Sequence, residues 1–538
     1  MKSIRLINVK AFNDTGTIDI APITIVVGRN SCGKSSFIRM PVVLSQTFKS
    51  GAETPICLNG SQADFIDYGN FEDVLHNHQG DHFSIVIEYS FDISSYNSRP
   101  QNRVIRKRRH DNNADNPDTI ALAISFSKPD QKRVYASQID LLINRELFSQ
   151  FKKIGATRKY IFTQKKAICD GKLIDVDYRY QIIADDIQNF MPVFDMEIPV
   201  AIAAAIYEAI TGEKPDEEEL NRIVTLIVRY RRMDSSFPEA FKAEKDILNS
   251  KSNDARIIEW YNAFDISARL FGEVFYYIEP EFLNLHYIGP IRSAPKRMYR
   301  NDENEHVDVG TYGDYTSALL FNDAKEKGTL VKAVSDWLNE VLDYTVEINE
   351  IEKTGYYQIS AKDSTTHSSA NLIDVGYGIS QVLPIVTQVK YSYIGNASWR
   401  KWRSTIPKQE LFVIEQPELH LHPAGQAGLA QLFASNVIRK QDRNKTFFIE
   451  THSEHFIRAL QVLIADPDYP LTSDMVKIYY VDKTCDGNST IREIRMNECG
   501  QFIDRWPEGF FDKAYNLTKQ FMLFTAQRKM TSEKRTDK

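Results

Sequence analysis

The sequence predicts an α/β fold, a mixed β-sheet lobe plus a helical lobe, interrupted by a long inserted subdomain that reads as mostly helical. Three observations lead there. The apolar run ITIVVG passes into a glycine-rich turn and then into residues at helical period. A second apolar run, LFVIE, is followed by a helix from about residue 423. A third, KTFFIE, follows that helix. Strand, glycine turn, helix, long insertion, then strand and helix again is the order of a split α/β head.

The elements follow in chain order. SIRLINVKAF alternates apolar and polar residues as a half-buried strand does, and ITIVVG reads as a fully buried one. FIRMPVVLSQTF reads as a helix that Pro41 kinks. HFSIVIEYSF and TIALAISFS read as further strands, which closes a first segment at residues 1–135. From 136 to 282 the charged, aromatic-rich stretches read as mostly helical. A third segment, 283–470, opens on the strand and basic loop LNLHYIGPIRSAPKRMYR and continues through a helix near 328–343. It then holds NLIDVGYGISQVLPIV and the two later apolar runs. A last segment, 471–538, carries strands, a helix and a basic tail. No internal repeat and no sustained heptad is present, so a long coiled coil is not expected.

Composition narrows the class. With 538 residues the chain exceeds what one hydrophobic core normally serves. A hydrophobic share of 42% beside 26% charged residues belongs to a folded chain rather than a disordered one. The net charge of −6 means that any nucleic-acid surface must be a local patch. Five scattered cysteines lack metal or redox spacing, and the N-terminus lacks the layout of a signal peptide. No apolar run is long enough to span a bilayer. A cytoplasmic protein without a membrane partner is the expectation.

GRNSCGKSS, residues 28–36, fits G-x-x-x-x-G-K-[ST] between a strand and a helix. Gly28 and Gly33 let the backbone N–H groups of Arg29, Asn30, Ser31 and Cys32 curl around a phosphate. The helix beginning near Lys34 adds its positive end. Lys34 reaches the terminal phosphates of ATP, while Ser35, followed by Ser36, offers its hydroxyl to Mg²⁺. LFVIEQPE delivers Glu415 to a strand end, where a carboxylate can hold the metal. The residue after it is Gln416, and an amide cannot act as a general base. It can still orient a water. Glu418 either swings in as a substitute base or is a solvated loop acid. His452, after the run FFIET, can contact a γ-phosphate or sense its loss. Gly376, Gly378, Ser380 and Gln381 open an apolar helix, either as an anion-binding cap or simply as a helix start. His420 and His422 do not form a justified zinc site.

In this order the motifs resemble the ABC-type ATPase heads of the RecF-like, SMC-like and OLD proteins. GRNSCGKSS is similar to their Walker A, VGYGISQ to their signature loop, VIEQPELHLHP to their Walker B and D-loop region, and IETHSEHF to their switch-histidine segment. The resemblance implies a head-to-tail dimer in which the signature serine of one head completes the ATP site of the other. It covers residues 1–90 and about 283–460. YIGPIRSAPKRMY, VGTYGDYTSALL and WPEGFFDKA narrow it to the Septu ATPases of anti-phage defence (PtuA), including the retron-associated form. That likeness implies a scaffold and controller of a separate HNH nuclease (PtuB-like). In the retron form it would also hold a reverse transcriptase and its RNA–DNA product, msDNA.

Unlike OLD nucleases, the residues after His452 show no set of spaced acids for a two-metal nuclease, and Asp482 and Asp486 read as strand-end and turn residues. No intrinsic nuclease is expected. Three basic segments are candidates for DNA contact: residues 103–110, the C-terminal tail RKMTSEKRTDK, and the loop Arg292–Arg300. The competing functional reading is a RecF-like DNA-repair ATPase that binds DNA in an ATP-dependent way.

Overall fold

The structure is a computed structural model of the full chain. It describes residues 1–50, 55–59, 66–90, 118–193 (except 131, 158, 170–171, 184–185 and 189–190), 280–301, 306–391, 409–438 and 445–507, with isolated residues of 212–278 and 516–525.

The site rests on one sheet. β4 (Ile23–Gly28), β13 (Leu285–Ile288), β18 (Glu410–Glu415), β19 (Lys445–Glu450), β20 (Val476–Lys483) and β21 (Ser489–Glu493) lie in the spatial order β13-β18-β19-β4-β20-β21. Every pairing is parallel except that of β21. Both faces of its central strands are covered, which is why β4, β18 and β19 are mostly apolar runs. Leu411, Val413, Phe448 and Val26 enter one core. Phe412, Ile414, Phe447, Ile449, Ile23, Ile25 and Val27 enter the other.

The first core lies under a nine-stranded antiparallel sheet. It is built from β1 (Ser3–Val9), β2 (Phe12–Asp14), β3 (Ile18–Asp19), β5 (His82–Ser90), β6 (Thr119–Ser127), β7 (Tyr135–Ile143), β8 (Glu146–Lys153), β9 (Lys159–Cys169) and β10 (Lys172–Ile183). Helices α1 (Lys34–Ile38) and α2 (Met40–Ser50) fill the gap between the two sheets through Phe37, Ile38, Val42, Val43 and Phe48. Arg39 separates the two but stays right-handed, its N–H donating to the Ser35 carbonyl and its carbonyl accepting from Val43 N–H. Pro41 then sits in the first turn of α2, where its missing N–H costs nothing.

The second core belongs to the helical lobe: α4 (Thr316–Glu326), α5 (Thr329–Leu342), α6 (Tyr377–Lys390), α7 (Pro423–Ile438) and α8 (Glu454–Ala465), the short α3 (Phe71–Val74) lying elsewhere. A small antiparallel sheet of β14 (Tyr299–Arg300), β15 (Tyr344–Ile351), β16 (Tyr356–Asp363) and β17 (Ser369–Asn371) flanks them. A mostly parallel sheet between an antiparallel sheet and a helical lobe gives the α/β fold, with a mixed β-sheet lobe and a helical lobe, that the sequence predicts.

One expectation is corrected. The segment from 136 to 193 is not helical. It is strands β7 to β10, then the small hairpin β11 (Asp186–Gln188) and β12 (Met191–Val193). Along β7 burial alternates nearly residue by residue, and Ile139, Leu141 and Ile143 enter the core. In β8 and β9 charged residues are interspersed with the buried Phe148, Phe151, Tyr160 and Phe162, which masks the period of two. Of the residues before β13, the described ones at 270, 274, 278 and 280–283 are helical, and Leu270, Val274, Ile278 and Phe282 are buried in the first core. Most of 194–269 lies outside the described residues.

Candidate nucleotide site

The parallel strands end together. Their register pairs Glu415 with Glu450 and Glu450 with Val26, so two carboxylates and the glycine turn after Val26 share one edge of the sheet. Gly28 has φ 149°, and a Cβ there would lie 2.1 Å from the Val481 carbonyl oxygen on β20. Gly33 has φ 99°, and its Cβ would meet Ala11 at 2.8 Å. Only glycine fits at either end of this loop. Ser31, between them, is also left-handed, at φ 60°. The Cys32 thiol donates to the carbonyls of Arg29 (2.8 Å) and Val481 (3.2 Å), which ties the loop to the sheet. Arg29, Asn30 and Ser31 form an exposed crest. Arg29 lies 3.9 Å from Asp482.

Lys34 is buried, and its ammonium donates to the Arg29 carbonyl at 2.7 Å. The charge is thus parked across the mouth of the loop, where a phosphate would take it over. A glycine-bounded loop packed tightly on the sheet, a buried ammonium and a hydroxyl on the first helical turn fit the triphosphate and magnesium of ATP.

The two acids have different partners. Glu415 is gripped by Arg39, whose Nε and Nη2 donate to Oε1 (2.6 Å) and Oε2 (2.8 Å); the Tyr287 hydroxyl donates to Oε1 at 2.7 Å. This pairing holds the Arg39 guanidinium well above its ordinary value, against the effect of burial. Burial and the neighbouring Glu415 push the Tyr287 hydroxyl up. Glu450 accepts the Ser35 hydroxyl at 2.8 Å. Burial, then the proximity of Glu415, raises the Glu450 carboxyl to about 7.

Gln416 lies in a turn at φ 45°, a left-handed conformation costing of order 1–3 kcal/mol for a non-glycine residue. Neighbours hold it there. Its N–H donates to the Glu450 carbonyl at 2.8 Å. Arg292 Nη2 donates to the carbonyls of Glu415 (2.7 Å) and Gln416 (3.2 Å). Arg292 is 4% exposed, and burial lowers it to about 10. It is therefore no part of an exposed basic patch, and Arg297 in the same loop pairs with Asp374 at 2.8 Å. Of the other basic segments, 103–110 and 528–538 lie outside the described residues. Arg292→Lys is expected to lower ATP turnover about 100-fold with nucleotide affinity unchanged, because the shorter side chain does not bring its nitrogen to the Nη2 position that bonds both carbonyls of a turn that positions the reacting groups. Turnover assays beside nucleotide titrations check this.

Glu418 is not a solvated loop acid. It is 8% exposed, and its Oε1 accepts the His452 backbone N–H at 2.6 Å. Burial raises its carboxyl above the ordinary value. His452 is half-buried, and burial followed by the charge of Lys34 lowers its imidazole to about 4. Ser380 and Gln381 do not face outward. Helix α6 begins at Tyr377, so both lie one turn in, buried, with the Ser380 hydroxyl donating to the Tyr377 carbonyl at 3.0 Å. The exposed residues at the helix start are Gly376 and Tyr377, while Gly378 abuts the His420 carbonyl. Among the described residues, no group of three metal-ligating side chains forms around His420 and His422.

Sequence reasoning missed Glu450, Arg39, Tyr287 and Arg292. Glu450 had a signal: TFFIE repeats the pattern of LFVIE, an apolar strand ending in an acid. The other three act across the fold and leave no local pattern.

A family model described as AAA ATPase domain matches residues 1–457. The chain belongs to that family. A second, described as Protein of unknown function (DUF3696), matches residues 471–520. No curated protein matches. Among solved structures, this AAA ATPase domain chain is similar to the Smc head domain from Pyrococcus furiosus, with an extended coiled coil and bound to the C-terminal domain of ScpA. That likeness is 14% identity over 97% of this chain and 99% of that one, at a TM-score of 0.35. It is also similar to the SMC head domain from Thermotoga maritima, at 10% identity over 92% and 99%, with a TM-score of 0.30. Among the described residues no helix is long and apolar enough to cross a membrane.

The site has a pH signature. An unfolded histidine takes up its proton near 6.5, but folded His452 waits until about 4, so the histidine term weakens stability as pH falls through that range. Glu450 acts oppositely. Its folded value near 7 exceeds 4.5, so its contribution is complete below 4.5 and is lost as pH rises through 7. His452→Gln removes one of two opposing slopes. Relative to the native chain, the variant is expected to gain stability as pH falls from 6.5 to 4.5, measured as the urea midpoint at each pH.

Proposed function

We propose that this ATPase is a slow, ATP-holding control subunit rather than a motor. It scaffolds and regulates a separate HNH nuclease in bacterial anti-phage defence, and in a retron setting also holds a reverse transcriptase and msDNA. Gln416 carries the reading. It occupies the place after the strand-end acid, a network from Arg292 and Glu450 pins its turn, and an amide there cannot take a proton. The phosphate and metal groups are kept: Lys34 and the glycine loop for ATP, and Ser35 beside the strand-end pair of Glu415 and Glu450, which brings carboxylate charge to the Mg²⁺ position. Glu418 and His452 form one unit through the His452 N–H, which suits sensing of the terminal phosphate. Two heads pair head to tail across the face bearing the start of α6. The resemblance to Septu ATPases supports the defence role.

Purified protein is expected to retain ATP and to turn it over far below the roughly 10 s⁻¹ median of enzymes. It is also expected to co-purify with an HNH nuclease encoded beside it. Ordinary ATPase rates would rule out the slow control subunit. ATP-dependent DNA binding by the chain alone, without a nuclease, would favour the DNA-repair alternative.

A further inference from the structure

We propose that Glu450, with Ser35, is the protein's contact for the nucleotide's divalent cation, and that Arg39 and Tyr287 hold Glu415 back from it. This rests on the ATPase reading above.

Topology is the first reason. The P-loop strand β4 has β19 as its direct neighbour, and β18 lies beyond β19. Glu450 is therefore one strand spacing, about 4.8 Å, closer to the loop than Glu415. Contacts are the second. The Ser35 hydroxyl, on the first turn after the loop, lies 2.8 Å from a Glu450 oxygen and is bonded to no oxygen of Glu415. Occupancy is the third. Both Glu415 oxygens are engaged: Oε1 receives Arg39 Nε and the Tyr287 hydroxyl, and Oε2 receives Arg39 Nη2. Magnesium demands oxygens at near-octahedral positions and tolerates little competition for them. Using Glu415 would require breaking a bidentate guanidinium pair on a carboxylate that is 1% exposed. Using Glu450 requires only that the Ser35 hydroxyl turn its hydrogen away and offer a lone pair to the ion.

The helical turn after the loop supports this division. It places Arg39 between α1 and α2, four residues beyond Ser35, with its guanidinium on Glu415. Glu415 then anchors the helical segment that carries Ser35 to the sheet, and leaves the metal to its neighbour.

The test uses the full-length chain with a non-hydrolysable ATP analogue and Mn²⁺ as the cation, reading free Mn²⁺ by electron paramagnetic resonance. Glu450→Gln and Glu450→Asp are expected to weaken Mn²⁺ binding by about tenfold or more, with analogue binding in EDTA unchanged. Glu415→Gln should leave Mn²⁺ affinity near that of the native chain. A larger or equal loss in Glu415→Gln, or native affinity in the Glu450 variants, overturns the assignment. If Glu450→Gln fails to fold, Glu450→Asp, which keeps the charge and shortens the reach, decides alone. A native chain that binds no analogue with or without cation would instead sink the ATPase reading itself.

Discussion

Lys34→Ala is expected to abolish nucleotide binding while leaving the fold intact. Lys34 is 4% exposed, yet its ammonium is bonded to a carbonyl of its own loop, Arg29 at 2.7 Å, rather than to a carboxylate. Burying a charge on a neutral acceptor is costly unless a ligand compensates. Removing it should therefore not lower the melting temperature of the nucleotide-free chain. Binding should suffer heavily, because a charge-assisted contact to phosphate inside a low-dielectric hollow is among the stronger ones available. A loss of about 100-fold or more in affinity is expected, about 3 kcal/mol at 1.4 kcal/mol per factor of ten. Titration with a fluorescent nucleotide beside a thermal melt checks both halves. There is also an internal control. The Lys34 charge contributes to the depression of His452, so the imidazole should move back toward 6.5 in Lys34→Ala. Proton NMR of the histidine would register it.

What could be read in the sequence was local. ITIVVG and LFVIE are apolar without interruption because both faces of their sheet are covered, and that pattern survives in one dimension. Gly28 and Gly33 were legible for the same reason, since a fixed spacing carries the turn. Phase was harder. VGYGISQ announces a helix start, but whether Ser380 points out depends on where the first turn begins, and a start at Tyr377 turns it inward. The strands of 135–193 were lost because β9 and β10 carry charged and aromatic residues along an alternating pattern, which reads as charge-rich helix when burial is unknown. Arg39, Tyr287 and Arg292 could not be found at all. Arg292 meets Glu415 across 123 residues of chain, and nothing in GPIR marks an arginine that will be buried.

Gln416→Glu is expected to raise ATP turnover by about 10²- to 10⁴-fold, the usual worth of a positioned general base. The exchange is nearly isosteric. The turn that presents residue 416 is held through its backbone, by Arg292 on its carbonyl and by the Glu450 carbonyl on its N–H, so the new carboxylate inherits the position of the amide. Glu418 provides the contrast. Its Oε1 accepts the His452 N–H, and the amide oxygen of Glu418→Gln can still do so. If Glu418 only positions His452, Glu418→Gln keeps the native rate. If Glu418 is the substitute base, that variant loses turnover, and Gln416→Glu adds little because a base is already in place. Single-turnover hydrolysis of the two variants and their combination separates the cases. A fast Gln416→Glu that stays fast with Glu418→Gln added identifies the amide at 416 as the reason the chain holds ATP.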